Sequence, residues 1–203
     1  MTIELLILVA GAGLIVDTST ARVVVAYVII VGLVAVLAAP ATLSASLTLA
    51  FFAATCVLKL VAAPIALWEF ARRNAAARSL RPAIGLPVRL IVVLAVVFAA
   101  QLVPRVPGLG SISHAALAAY VVLCGLAVLV VHRNLLAQVI GLLVLSSGVT
   151  LAGVVSAPQL PEAVELGAAF DVLVVTFIGL ALVRAMITEN PLLDIESLRR
   201  LRG

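Results

Sequence analysis

Uncharged apolar runs long enough to cross a bilayer recur from one end of this chain to the other. They constrain the fold more than any other feature. With 65% hydrophobic and 11% charged residues, no water-soluble surface could be covered. The runs are continuous rather than alternating, which excludes a transmembrane β-barrel. The expected fold class is all-α: a polytopic transmembrane helix bundle forming a single integral membrane domain over residues 1–203.

A bilayer core about 30 Å thick needs roughly 20 apolar residues per span. Seven spans are expected: Thr2–Val16, Val23–Ala39, Leu43–Trp68, Leu86–Val103, Ala115–Val131, Leu135–Ser156 and Ala163–Ile187. The first lacks a basic flank, because its only early charge is Glu4, so it reads as a retained helix rather than a signal peptide. Pro40, Pro104 with Pro107, and Pro158 with Pro161 mark breaks. Pro64 lies inside the third span. There it should kink the helix and free the carbonyl of Leu60, one turn earlier.

Charge sets the topology. Arg22, Arg72, Arg73, Arg78, Arg81, Arg89, Arg133, Arg184, Arg199, Arg200 and Arg202 fall on one side of this arrangement, and Arg105 on the other. The positive-inside rule then places the amino terminus outside and the carboxy terminus in the cytoplasm. The loop Glu69 to Pro87 is either an orientation signal or a dock for a peripheral subunit or anionic lipid. The tail 191–203 carries Ile195, Leu198 and Leu201 at the spacing of an apolar stripe.

Two charges lie within apolar runs. Asp171 is near the middle of the last span, and a carboxylate there costs about 2.5–3.5 kcal/mol on insertion scales. Lys59 lies about nine residues, or roughly 14 Å, from the cytoplasmic end of its helix. Such residues mark ion pathways or pair with one another, and a lysine near an interface can also snorkel. Glu165 sits near the outer mouth, either as a wetted interfacial carboxylate or as an outer proton station. Ser146, Ser147 and Thr150 either bond back to their own helix or line a hydrated seam facing Asp171. Gly141, Gly148 and Ala152 suggest a close helix–helix contact. His114 and His132 read as interfacial, Trp68 as part of the aromatic belt, and Cys56 and Cys124 as packing residues. No nucleotide-loop motif, metal-ligand spacing or nucleophile–base constellation is present, so no catalytic residue, cofactor or metal is assigned to this chain, and nucleic acid is not an expected partner.

Several motifs occur in a telling order: Lys59-Leu-Val-Ala-Ala-Pro64, His132-Arg-Asn-Leu-Leu-Ala-Gln-Val-Ile-Gly141 with Ser147-Gly148, Pro161-Glu-Ala-Val-Glu-Leu-Gly167 with Phe170-Asp171, and the ending Leu193 to Gly203. Together they resemble the E-type membrane subunit of hydrogenase-4 and related formate-hydrogenlyase-type complexes. The last three helices also resemble the K-type subunit of respiratory complex I, with residues 132–190 as its hairpin and last helix.

The resemblance implies a non-catalytic integral subunit of a large oxidoreductase in a bacterial-type cytoplasmic membrane. Its implied partners are antiporter-like membrane subunits and a peripheral arm with metal clusters, whose redox energy is linked to proton or sodium movement. Lys59, Asp171, Glu165, Ser146 and Ser147 would then belong to a proton pathway. Family members commonly carry a glutamate in the sixth helix. The corresponding positions here are Ser146 or Leu143, neither of which can store a proton at neutral pH. A scaffold subunit without ion transfer and a stand-alone small-solute transporter are the competing expectations.

Overall fold

In the computed structural model, the described residues are 2–42, 46–73, 83–102, 112–132 and 134–156, with Gly167, Asp171, Phe177 and Ala181. Nearly all of them are helical. The elements are α1 (Thr2–Val16), α2 (Thr20–Thr42), α3 (Ser46–Val57), a π-helical turn (Leu58–Ala62), α4 (Ala63–Arg73), α5 (Leu86–Leu102), α6 (Ile112–Val131) and α7 (Leu135–Ser156). Gly167, Asp171, Phe177 and Ala181 also have helical backbone. Most of the expected seventh span, Glu165 and the tail lie outside the described residues.

Three helical stretches are long and apolar enough to cross a bilayer: Thr20–Ala38, Phe52–Glu69 and Leu136–Ser156. Ile3–Val16, Leu86–Leu102 and Ala115–Val131 are shorter apolar helices. Large apolar side chains such as Phe98, Val130, Leu94 and Ile91 face outward. Such an exterior suits hydrocarbon, and the chain is built as an integral membrane protein.

Local chemistry explains most boundaries. Asp17 ends the first helix and starts the second: its Oδ1 accepts from the amides of Thr18 (2.7 Å) and Ser19 (3.1 Å), and its Oδ2 pairs with Arg22 at 3.1 Å. Asn134 Oδ1 accepts from the Leu136 amide at 2.9 Å and caps α7. Pro87 is tolerated in the first turn of α5, where an amide would lack an intrahelical partner anyway. Pro40, expected to mark a break, lies in the last turn of α2, two residues before the helix ends, where it has no amide to offer the Val36 carbonyl one turn earlier.

The most extensive contact joins α6 to α7, and α1 and α2 pack beside them. Glycine permits the closest approaches. A Cβ on Gly148 would lie 2.6 Å from the Val122 amide nitrogen, and one on Gly125 would lie 2.6 Å from that of Leu145. Backbone meets backbone here, as the stripe of Gly141 and Gly148 suggested; Gly125 is its counterpart on α6. A Cβ on Gly11 would lie 2.7 Å from the Tyr120 hydroxyl, which donates to the carbonyl of Leu8 on α1 at 2.8 Å.

One end of the bundle collects the turn between α1 and α2, the start of α5 and the hairpin between α6 and α7. Arg89, expected as a flanking charge, is buried and donates to the Val16 carbonyl at the end of α1, where a cation also meets the negative end of the helix dipole. His132, expected at the interface, is only 1% exposed; its Nε2 lies 3.2 Å from the Asp17 carbonyl. The tight hairpin turns the ring inward against α1, which is why position beside a loop did not mean exposure. Burial pushes the His132 imidazole below its usual range, and the Arg89 charge pushes the same way. Hydrogen bonds to the backbone of Asp17 and Val128 oppose that shift.

Candidate functional site

Lys59 is 5% exposed and lies near the middle of the Phe52–Glu69 stretch. It sits in the π-helical turn, and the sequence accounts for what happens there. The Ala63 amide reaches back to the Leu58 carbonyl, five residues earlier. In that register the next amide would serve the Lys59 carbonyl, but the next residue is Pro64, which has none. The Lys59 carbonyl is therefore left without a helical donor. Tyr27, fully buried on α2, donates its hydroxyl to that carbonyl at 3.1 Å. The extra residue in the turn absorbs the proline, and α4 continues from it.

The Lys59 ammonium crosses to α7 and donates to Thr150 Oγ1 at 3.2 Å. Thr150 in turn donates to the Ser146 carbonyl at 2.9 Å. One turn from Lys59, Thr55 is also buried. These groups open on a cavity of about 30 Å³ lined by Val31 and Val34 of α2, Thr55 and Cys56 of α3, Lys59, and Ser147 and Thr150 of α7. At roughly 10–15 Å³ per ordered water, it has room for about two. Its walls are almost wholly apolar, because the polar atoms of Lys59 and Thr150 are turned to each other and to the Ser146 carbonyl.

Of the residues assigned from sequence, the structure brings Lys59 and Ser147 to one cavity. Ser146 is buried in the same turn of α7 and contributes its carbonyl to Thr150. The Ser147 hydroxyl donates to the Leu143 carbonyl at 2.9 Å, the back-bonding that serines in helices favour. Asp171 is helical and half-buried, and among the described residues no ion pair joins it to Lys59. Glu165 lies outside the described residues. Sequence reasoning missed Thr55 and Tyr27. The spacing of Thr55 four residues before Lys59 could have flagged the first, since i and i+4 share a helix face.

The half of the site on α7 lies in the part of the chain that resembles known proteins. Residues 113–203 match the family model of NADH-ubiquinone/plastoquinone oxidoreductase chain 4L. The match begins at the start of α6, covers less than half of the chain, and takes in Ser146, Ser147, Thr150 and Asp171 but not Lys59. No curated protein and no solved structure matches the chain.

Proposed function

We propose that this chain is a non-catalytic integral membrane subunit of a hydrogenase-like or complex-I-like respiratory assembly. In this reading it contributes to a central hydrophilic axis for proton or sodium translocation, coupled to a peripheral redox arm. The observation that carries the reading is the bridge from Lys59 to Thr150. A buried cation from the amino-terminal half meets a hydroxyl in the half that matches the oxidoreductase family. An ammonium buried at mid-span can take up or pass on charge, whereas the aliphatic walls around it cannot. Asp171 and Glu165 would extend the axis along the last helix, with Ser146 and Ser147 lining it. The E-type hydrogenase-4 likeness makes antiporter-like membrane subunits and a metal-cluster arm the expected partners. The positive-inside rule puts the end bearing Arg22, Arg72 and Arg89 in the cytoplasm, in a bacterial-type inner membrane.

A scaffold reading draws on a different observation. Ser147 and Thr150 both bond back to their own helix, so Lys59 could serve as a strut between α7 and the π-helical turn. Mild-detergent affinity purification of the tagged chain, with mass spectrometry of co-purifying proteins, tests the shared premise. Antiporter-like and metal-cluster subunits should be recovered. Recovery as a lone chain from intact membranes would overturn both readings in favour of a transporter.

A further inference from the structure

Two buried side chains at one end of the bundle take no part in the Lys59 site. Arg89, near the start of α5, donates to the Val16 carbonyl, and the ring of His132, just after α6, lies with Nε2 3.2 Å from the Asp17 carbonyl. Consecutive carbonyls at the end of α1 are thus held from two different helices, in place of the intrahelical amides that a helix end lacks. A third contact closes the same end: the Ala83 amide, ahead of α5, donates to the Val131 carbonyl at 2.7 Å.

The chemistry of the donors fixes the state of the ring. A carbonyl only accepts, so Nε2 carries the proton of the neutral imidazole and Nδ1 is left as a bare acceptor. Among the described residues, neither His132 Nδ1 nor Arg89 Nε, both buried, makes a well-formed hydrogen bond. Protonation would add an N–H at Nδ1, where no acceptor is well placed, and a second positive charge near Arg89. The backbone carbonyls of Asp17 and Val128 offset only part of that cost. No acid answers the charge. The Asp17 carboxylate is turned to the amides of Thr18 and Ser19 and to Arg22 at the start of α2. Glu4 of α1 lies at the other end of its helix, α7 has no ionisable side chain, and Arg133 follows the ring in sequence.

We propose that this junction is a pH-sensitive latch on α1: neutral His132 holds the turn between α1 and α2 against α5 and α6, and its protonation releases the turn. On release the ring reaches water, the carbonyls of Val16 and Asp17 are solvated, and α1 stays in the bundle through its apolar packing and the Tyr120 hydrogen bond to Leu8. The latch responds to pH on the side that the end bearing Arg22 and Arg89 faces, and it does not depend on ion translocation.

The test is hydrogen exchange of the full-length chain in nanodiscs, from neutral to mildly acidic pH, corrected for intrinsic exchange chemistry. Mass spectrometry follows peptides covering the turn 17–23 and, as a reference, the contact between α6 and α7. One pH unit below the ordinary imidazole value of about 6.5, opening of the turn should have risen by up to about tenfold, with the reference unchanged. In His132→Gln an amide N–H still reaches towards the Asp17 carbonyl, so the turn should stay closed and the rise should vanish. Arg89→Gln, which removes the neighbouring charge, should reduce the rise. His114→Gln should keep it, and leaves His132 as the only histidine. In that chain, NMR of the isotope-labelled ring nitrogens should show a neutral imidazole with its proton on Nε2 at about pH 6.5, where a free imidazole is half charged. If His132→Gln leaves the turn open at every pH, this ring measurement decides. A ring that is half charged there, a turn whose exchange ignores acid, or the same rise in a closed His132→Gln chain would overturn the proposal.

Discussion

Replacing Tyr27 by phenylalanine should destabilise the protein because of a proline on another helix. The ring of Tyr27 is fully buried, and phenylalanine keeps nearly all of its packing. What is lost is the 3.1 Å hydrogen bond to the Lys59 carbonyl, the group that Pro64 cannot serve in the π-helical register. Hydrogen bonds between membrane helices average about 0.6 kcal/mol and reach about 1.7. Stranding a buried acceptor costs about 1–3 kcal/mol. A loss of about 1–2 kcal/mol follows, a five- to thirtyfold change in the unfolding equilibrium. The background decides the cause. In Pro64→Ala an amide returns to the turn and can serve the orphaned carbonyl, so Tyr27→Phe should then cost little. The assay is detergent-driven unfolding in mixed micelles, followed through Trp68 fluorescence for the wild type, both single variants and the double. An equal cost of Tyr27→Phe in both backgrounds would refute the register argument.

Other consequences can be measured alongside. Gly148→Ala should cost about 1–3 kcal/mol in the same unfolding assay, since its Cβ would meet the Val122 backbone at 2.6 Å. Gly13→Ala, with nothing within 4 Å, should be neutral or gain up to about 1 kcal/mol of helix propensity. The His132 imidazole titrates lower in the folded chain than in the unfolded one. Between those two values the unfolded state binds more protons. Stability should therefore be full above the unfolded value of about 6.5, fall as pH drops through it, and level off below the folded value. In His132→Gln that slope should be missing from unfolding measured between neutral and mildly acidic pH; an unchanged slope would assign it elsewhere.

Much of the fold was legible in the sequence, because bilayer thickness and helical rise fix how apolar residues must be spaced. Thr2–Val16 and Leu135–Ser156 are helices with the bounds that hydropathy and capping residues imply. Lys59 was legible as well, since a charge in an apolar run needs a partner or a role. Its partner was not. The hydroxyls of α7 were read as either bonding back to their own helix or facing Asp171; Ser147 and Thr150 do bond back, and Thr150 also accepts from Lys59, a contact set by how α7 packs against α2. Tyr27 was invisible for a related reason. Its role depends on the π-helical register, in which the Lys59 carbonyl loses its donor, and an α-helical count from Pro64 does not reach that carbonyl. His132 and Arg89 followed the charge rule in lying at the basic end, but both are buried, because the carbonyls of the turn after α1 draw them inward.

The most direct test of the account is redox-driven ion uptake by inside-out vesicles that hold the assembled complex with Lys59→Met in place of the wild-type chain. The methionine fills the space of the lysine stem, so the complex should assemble and turn over its redox substrate while uptake is lost. Lys59→Arg, which keeps a cation within reach of Thr150, should retain part of it. Undiminished uptake by an intact Lys59→Met complex would contradict a role for this site in ion translocation.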